Sequence, residues 1–215
     1  MDIPHAVQQC LDRQGITELR PGQLAATQNG LFTGDNLLVT TPTASGKTLI
    51  AEMAFLSHIL SGEGKAIYIV PLKALAQEKY RSFKEKYGSL FRITIAIGDL
   101  DSPDPSLGRN DLIICTSEKL DSLMRHHVPW IKQVSCLILD EIHLLNDPGR
   151  GPTLEILITM LRRILSPQII GLSATIGNAD ELAQWLNAYL VEDTWRPVDL
   201  YKGIYLNGEV EFFKE

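Results

Sequence analysis

The chain has 215 residues, 45% of them hydrophobic, which is enough to bury one good core and points to a single domain with at most a small appendage. Its formal net charge of −6 excludes a broad basic face for nucleic acid, so any such contact has to be local. Cys10, Cys115 and Cys136 have neither metal-ligand spacing nor a disulfide pattern, and no apolar run approaches the length of a membrane span, so the expectation is a soluble cytoplasmic protein with no membrane partner.

Ala6, Val7, Cys10 and Leu11 mark a helix over residues 4–14, closed by Gly15, and Arg20-Pro21-Gly22-Gln23 opens a second. Residues 36–40 form a short strand, and a helix runs on to about Leu60. The continuously apolar 66–70 reads as a strand buried on both faces, and Pro71 opens a helix to about Tyr87. Strands follow at 92–97 and 111–115, separated by an exposed loop rich in Pro, Asp, Ser and Gly over 98–110. A helix from Ser117 to about His126, a strand over 134–139, a polar turn over 146–151 and a helix over 153–165 continue the pattern. It closes with a strand over 168–172 and a helix over 178–187. The alternation implies βαβ units, an α/β fold whose mostly parallel sheet is covered by helices on both faces. Ile204-Tyr205-Leu206, Asn207-Gly208 and Glu209-Val210-Glu211-Phe212 break the rhythm as a C-terminal β-hairpin, read as a connector. The boundaries predicted are 1–200 for the domain and 201–215 for the connector.

Between the first strand and its helix stands Thr41-Pro42-Thr43-Ala44-Ser45-Gly46-Lys47-Thr48. A strand, a loop of small residues and a helix opening on Gly-Lys-Thr make a phosphate cradle, with backbone N–H groups and the helix N-terminus facing the anion. In such a P-loop, Lys47 reaches the outer phosphates of ATP and the Thr48 hydroxyl ligates Mg²⁺. Thr41 holds a place where the general pattern has glycine, and an ordinary strand–turn–helix remains the alternative. The strand over 134–139 delivers Asp140-Glu141-Ile142-His143 to the same kind of sheet edge. Asp140 is suited to hold Mg²⁺ and Glu141 to deprotonate the attacking water, against the plainer reading of an acidic helix start.

Thr43-Ala44-Ser45-Gly46-Lys47-Thr48, Asp140-Glu141-Ile142-His143 and Ser173-Ala174-Thr175 together resemble the nucleotide motifs of superfamily 2 DExH-box helicases. Val70-Pro71-Leu72-Lys73-Ala74-Leu75-Ala76, Thr116-Ser117-Glu118-Lys119 and Trp195-Arg196-Pro197-Val198 narrow the resemblance to the archaeal branch of Ski-type DNA helicases, kin to the helicase part of DNA polymerase theta. The resemblance runs over essentially the whole chain, and members of that family tolerate a residue other than glycine at the first cradle position.

The resemblance implies a RecA-like fold in which the Ser173 strand lies between the cradle strand and the Asp140 strand. It implies that Gln23 reads adenine, that Asp140 and Glu141 serve metal and water, and that His143, Ser173, Ala174 and Thr175 couple hydrolysis to movement. Pro71, Leu72 and Lys73, the pair Gly98 and Asp99, and the pair Thr116 and Ser117 are implied to grip one strand's backbone, with helix capping as the alternative for the helix starts. The activity implied is that of the motor domain of an ATP-dependent 3′-to-5′ DNA helicase of replication-fork repair and recombination. It would act on single-stranded or forked DNA and close against a second RecA-like domain and accessory domains of a longer chain. No arginine-finger motif stands in these 215 residues, so the expectation is a fragment that hydrolyses ATP poorly alone. The rivals are an RNA-remodelling DExH helicase and a P-loop phosphotransferase, with a binding module of relic motifs behind them.

Overall fold

The computed structural model describes residues 2–42, 45–98, 104–198 and 201–213. Seven parallel strands form one sheet: β1 (Leu37–Thr40), β2 (Lys65–Val70), β3 (Ile93–Ala96), β4 (Leu112–Thr116), β5 (Val134–Leu139), β6 (Gln168–Ser173) and β7 (Tyr189–Glu192). Their order is β3-β4-β2-β5-β6-β1-β7, so β6 lies between β1 and β5, as expected.

Each central strand sends alternate residues to opposite faces, as the two-residue period of a strand requires. Ala66, Tyr68 and Val70 of β2, with Cys136 and Ile138 of β5, join one core. Ile67, Ile69, Leu137 and Leu139 join the other. On the first face lie α1 (His5–Arg13), α2 (Pro21–Gln28), α3 (Lys47–Ser61) and α4 (Lys73–Tyr87); on the second lie α5 (Ser117–Arg125), α6 (Gly151–Leu165) and α7 (Ala179–Leu186). Phe55 and Tyr68 both meet Phe83 edge to face, with ring centroids 5.2 and 5.3 Å apart, locking α3, β2 and α4 together.

Sequence and structure differ in a few places. Helix α4 begins at Lys73 rather than Pro71, because Leu72 is still extended (φ −130°, ψ 140°). The segment expected as an exposed loop contains a 3₁₀ turn, Pro105–Arg109, anchored by the buried Leu107. Strand β7 was not foreseen. It is a four-residue edge strand in which only Val191 is buried, too short for a periodic signal, and Asn36 ties it in. The Asn36 carbonyl accepts from Tyr189 N–H, while its side chain bonds the carbonyls of Leu186 and Asn187 and the N–H of Ile169.

The hairpin is present as β8 (Lys202–Leu206) and β9 (Glu209–Phe213), joined through Asn207 (φ 51°) and Gly208 (φ 93°). Two positive φ angles make the turn whose twist suits a two-residue hairpin. Ile204, Tyr205, Leu206, Val210 and Phe212 are exposed along it.

Candidate nucleotide site and strand-end surface

The cradle leaves β1 at Thr40 and enters α3 at Lys47; Thr43 and Ala44 lie outside the described residues. Gly46 is the N-cap at φ 93°, a conformation that costs a residue with a Cβ, and a Cβ there would come within 2.5 Å of Gln23 Nε2. No side chain caps α3, a 15-residue helix, and of its first N–H groups that of Leu49 donates to the Gly46 carbonyl. Thr41, at the glycine position of the general pattern, is buried, and its hydroxyl lies 2.7 Å from that of Ser45 across the loop. Threonine therefore closes the cradle from within.

Lys47 lies back across the cradle. Its Nζ donates to the carbonyls of Ser173 (2.7 Å) and Thr41 (3.2 Å). Burial lowers its pKa, and the nearby Glu141 and Asp140 carboxylates work in the opposite direction. Thr41, Ser173 and Asp140 stand at the carboxyl ends of β1, β6 and β5.

Asp140 is held firmly. Its Oδ2 accepts from the Tyr68 hydroxyl at 2.8 Å and its Oδ1 from the Glu141 N–H at 3.1 Å. Tyr68 is fully buried, and burial together with the Asp140 carboxylate drives its pKa well up, keeping it a donor. Glu141 takes a left-handed conformation (φ 56°, ψ 44°), which turns the chain sharply after β5 into the 3₁₀ segment Ile142–Asn146. That turn brings His143 Nδ1 to 3.4 Å from both Glu141 Oε2 and Ser173 Oγ. Ala174 and the exposed Thr175 follow directly after β6.

Gln23 is buried, not an exposed helix residue. Its Oε1 accepts from Arg20 N–H and its Nε2 donates to the Gly46 carbonyl, joining α2 to the cradle; each end of the amide keeps one further hydrogen-bonding position. Sequence reasoning missed Asp193, whose carboxylate accepts from Gly22 N–H and Trp195 N–H and so ties the chain after β7 to the Gln23 turn. It also used Trp195 only as a family marker, whereas the Arg20 guanidinium lies 5.1 Å over its ring. Tyr68 and Lys79 were missed as well. A continuously apolar strand and a charged helix give no signal of which side chain turns toward a distant carboxylate.

The residues proposed from sequence for nucleic acid fall on the other half of the same edge. Strands β3, β4 and β2 are neighbours, and Val70 pairs with Thr116 in register, so Pro71, Thr116 and Gly98 follow three adjacent strand ends. Asp99 lies outside the described residues. Helix α4 has no side-chain cap, and Leu72 and Lys73 are exposed at its start. At Thr116 and Ser117 the structure shows the helix cap given above as the alternative. Both are buried, the Thr116 hydroxyl already caps α5 through Lys119 N–H, and Glu118 sits in the first turn. That helix start is neutralised internally.

Among the described residues no three or more His, Cys, Asp or Glu form a group able to hold a metal ion. A protein-only cage is not what Mg²⁺ needs, since it is commonly held by one or two protein ligands plus substrate phosphates. The Thr48 hydroxyl and the Asp140 carboxylate fit that demand: the Lys79 ammonium already lies between them, 3.0 Å from Thr48 Oγ1 and 3.7 Å from Asp140 Oδ2. A cation suits the position. No helix among the described residues is long and apolar enough to cross a membrane.

Fold and geometry define a RecA-like P-loop domain, with the Gly46-Lys47-Thr48 loop after β1 and the acidic pair after β5 on either side of the β6 end. The chain belongs to the DEAD/DEAH box helicase family, whose model matches residues 20–182. It is 57% identical over 205 residues to the ATP-dependent DNA helicase Hel308 of Methanocaldococcus jannaschii, covering 92% of this chain and 17% of that one. To Hel308 of Pyrococcus abyssi it is 52% identical over 211 residues, covering 98% of this chain and 29% of the relative. The chain thus spans well under a third of the length of these relatives. Among solved structures, the DUF1998 helicase MrfA bound to DNA superposes with a TM-score of 0.77 at 27% identity, over 89% of this chain and 30% of MrfA.

Proposed function

We propose that this chain is the first motor domain of an ATP-dependent DNA helicase that translocates 3′ to 5′ and serves fork repair and recombination in the cytoplasm. Residues 1–200 form the motor unit and 201–215 the connector to a second RecA-like domain of the same polypeptide. The observation that carries the reading is the division of one sheet edge. The cradle and acidic pair occupy the β5-β6-β1 half, and the uncapped start of α4 occupies the β2 half. The high identity to Hel308 relatives supports DNA over RNA, and their greater length supports further domains.

In this reading Lys47 exchanges the Ser173 and Thr41 carbonyls for the β- and γ-phosphates of ATP. Thr48 and Asp140 would hold Mg²⁺, which would supply positive charge to offset that of the phosphates. Glu141, at the turn after β5, accepts the proton of the attacking water. His143, within reach of both Glu141 and Ser173, passes the state of the γ-phosphate position to β6. Gln23 offers its remaining donor and acceptor positions to adenine, and Pro71, Leu72, Lys73 and Gly98 hold the DNA backbone.

The test is nucleic-acid-stimulated ATP hydrolysis by the full-length chain carrying Glu141→Gln. Retained ATP binding with a loss of about 10²- to 10⁴-fold in rate is the outcome for a general base. Stimulation by single-stranded RNA but not DNA would replace the DNA reading with the RNA-remodelling one. Phosphoryl transfer to a small acceptor, independent of nucleic acid, would replace both.

A further inference from the structure

Lys79 lies in the second turn of α4 and belongs to none of the motifs above. Its side chain is 15% exposed and points into the cradle end of the sheet, where Asp140 is 11% exposed. The ammonium donates to Thr48 Oγ1 at 3.0 Å, lies 3.7 Å from Asp140 Oδ2 and sits 6.0 Å above the Tyr68 ring. The same Asp140 oxygen accepts from the Tyr68 hydroxyl. Lys79 therefore touches both side chains proposed to hold the metal, one on α3 and one after β5. Few arrangements explain a lysine so enclosed. It neutralises a carboxylate that is largely withdrawn from water, and it bridges the start of α3 and the end of β5.

We propose that Lys79 is a resident cation of the metal subsite: its ammonium holds Thr48 and Asp140 together before a metal–nucleotide complex arrives, and withdraws when that complex binds. The inference rests on the assignment of Thr48 and Asp140 as the metal-holding pair. Two consequences have opposite signs. The ammonium repels an incoming divalent ion, so removing it strengthens metal uptake. It attracts a metal-free triphosphate, so removing it weakens binding of nucleotide alone.

The experiment measures Mn²⁺ uptake by electron paramagnetic resonance with a non-hydrolysable ATP analogue, and binding of that analogue in EDTA, for wild type, Lys79→Met and Lys79→Arg. Lys79→Met is expected to bind Mn²⁺ at about tenfold lower concentration and the metal-free analogue about tenfold more weakly, from the loss of one positive charge beside both groups. Lys79→Arg keeps both close to wild type. An unchanged Mn²⁺ midpoint in Lys79→Met, or an equal loss of analogue affinity with and without metal, overturns the inference. Lys79→Gln, which can still bond Thr48, carries the same measurements if the Met variant fails to fold. Failure of the wild type to bind the analogue at all would instead remove the nucleotide-site reading itself.

Discussion

The ammonium of Lys47 donates to the main-chain carbonyl of Ser173 across 2.7 Å, joining the start of α3 to the end of β6 over 126 positions of sequence. This lysine directs its charge to the protein's own carbonyls. Lys47→Ala is therefore expected to abolish measurable ATP binding in a fluorescent-nucleotide titration. The fold should survive, because a half-buried cation bonded only to carbonyls contributes about 1 to 3 kcal/mol. Undiminished affinity in the variant would contradict the cradle.

Gly46 sets the entry of α3. Alanine there carries the strain of φ 93° and places its Cβ against Gln23 Nε2. Gly46→Ala should lower stability by roughly 1 to 3 kcal/mol in urea denaturation and weaken nucleotide binding at the same time. A stable variant with altered affinity would mean that the loop rearranges around the new methyl.

A second buried charge lies away from the site. Glu52 on α3 is 2% exposed; its Oε1 and Oε2 accept from Lys86 Nζ at 2.8 and 2.9 Å, and Oε2 also accepts from the Tyr87 hydroxyl. Lys86→Met strands this carboxylate and should cost about 3 to 5 kcal/mol, while pairing it with Glu52→Leu should restore most of the loss. Equal destabilisation by the single and double variants would assign the effect to packing instead.

Alkaline pH should unfold the domain early. Burial pushes the Cys115 thiol up to about 12 and the Cys136 thiol further still, against ordinary values near 9. Above pH 9 the unfolded chain releases these protons and the native state keeps them, so stability falls as pH rises, by about 1.4 kcal/mol per pH unit for each thiol. The loss from Cys115 ends as pH passes about 12. Denaturation midpoints between pH 8 and 10.5 check the slope, which Cys115→Ala with Cys136→Ala should flatten.

At the strand-end surface, Lys73 is exposed beside the uncapped start of α4. Lys73→Ala should weaken single-stranded DNA binding of the full-length chain equally for all sequences and reduce its salt slope by about one. A sequence-dependent loss would point to base contact.

Much of this protein was determined locally, by the order of its residues. The apolar runs of β2, β4 and β5 could only be buried strands. Asn207-Gly208 demanded a tight hairpin, and Gly46-Lys47-Thr48 at a strand–helix junction pointed to a loop that opens its helix on a left-handed glycine, because each depends on backbone geometry within a few residues. Contacts between distant segments were decided only when the sheet assembled. Strand order put Ser173 under Lys47, put the ends of β3, β4 and β2 side by side, and brought Lys79 and Tyr68 to Asp140. Such choices turn on which face a side chain meets across a folded sheet, and no spacing along the chain encodes that.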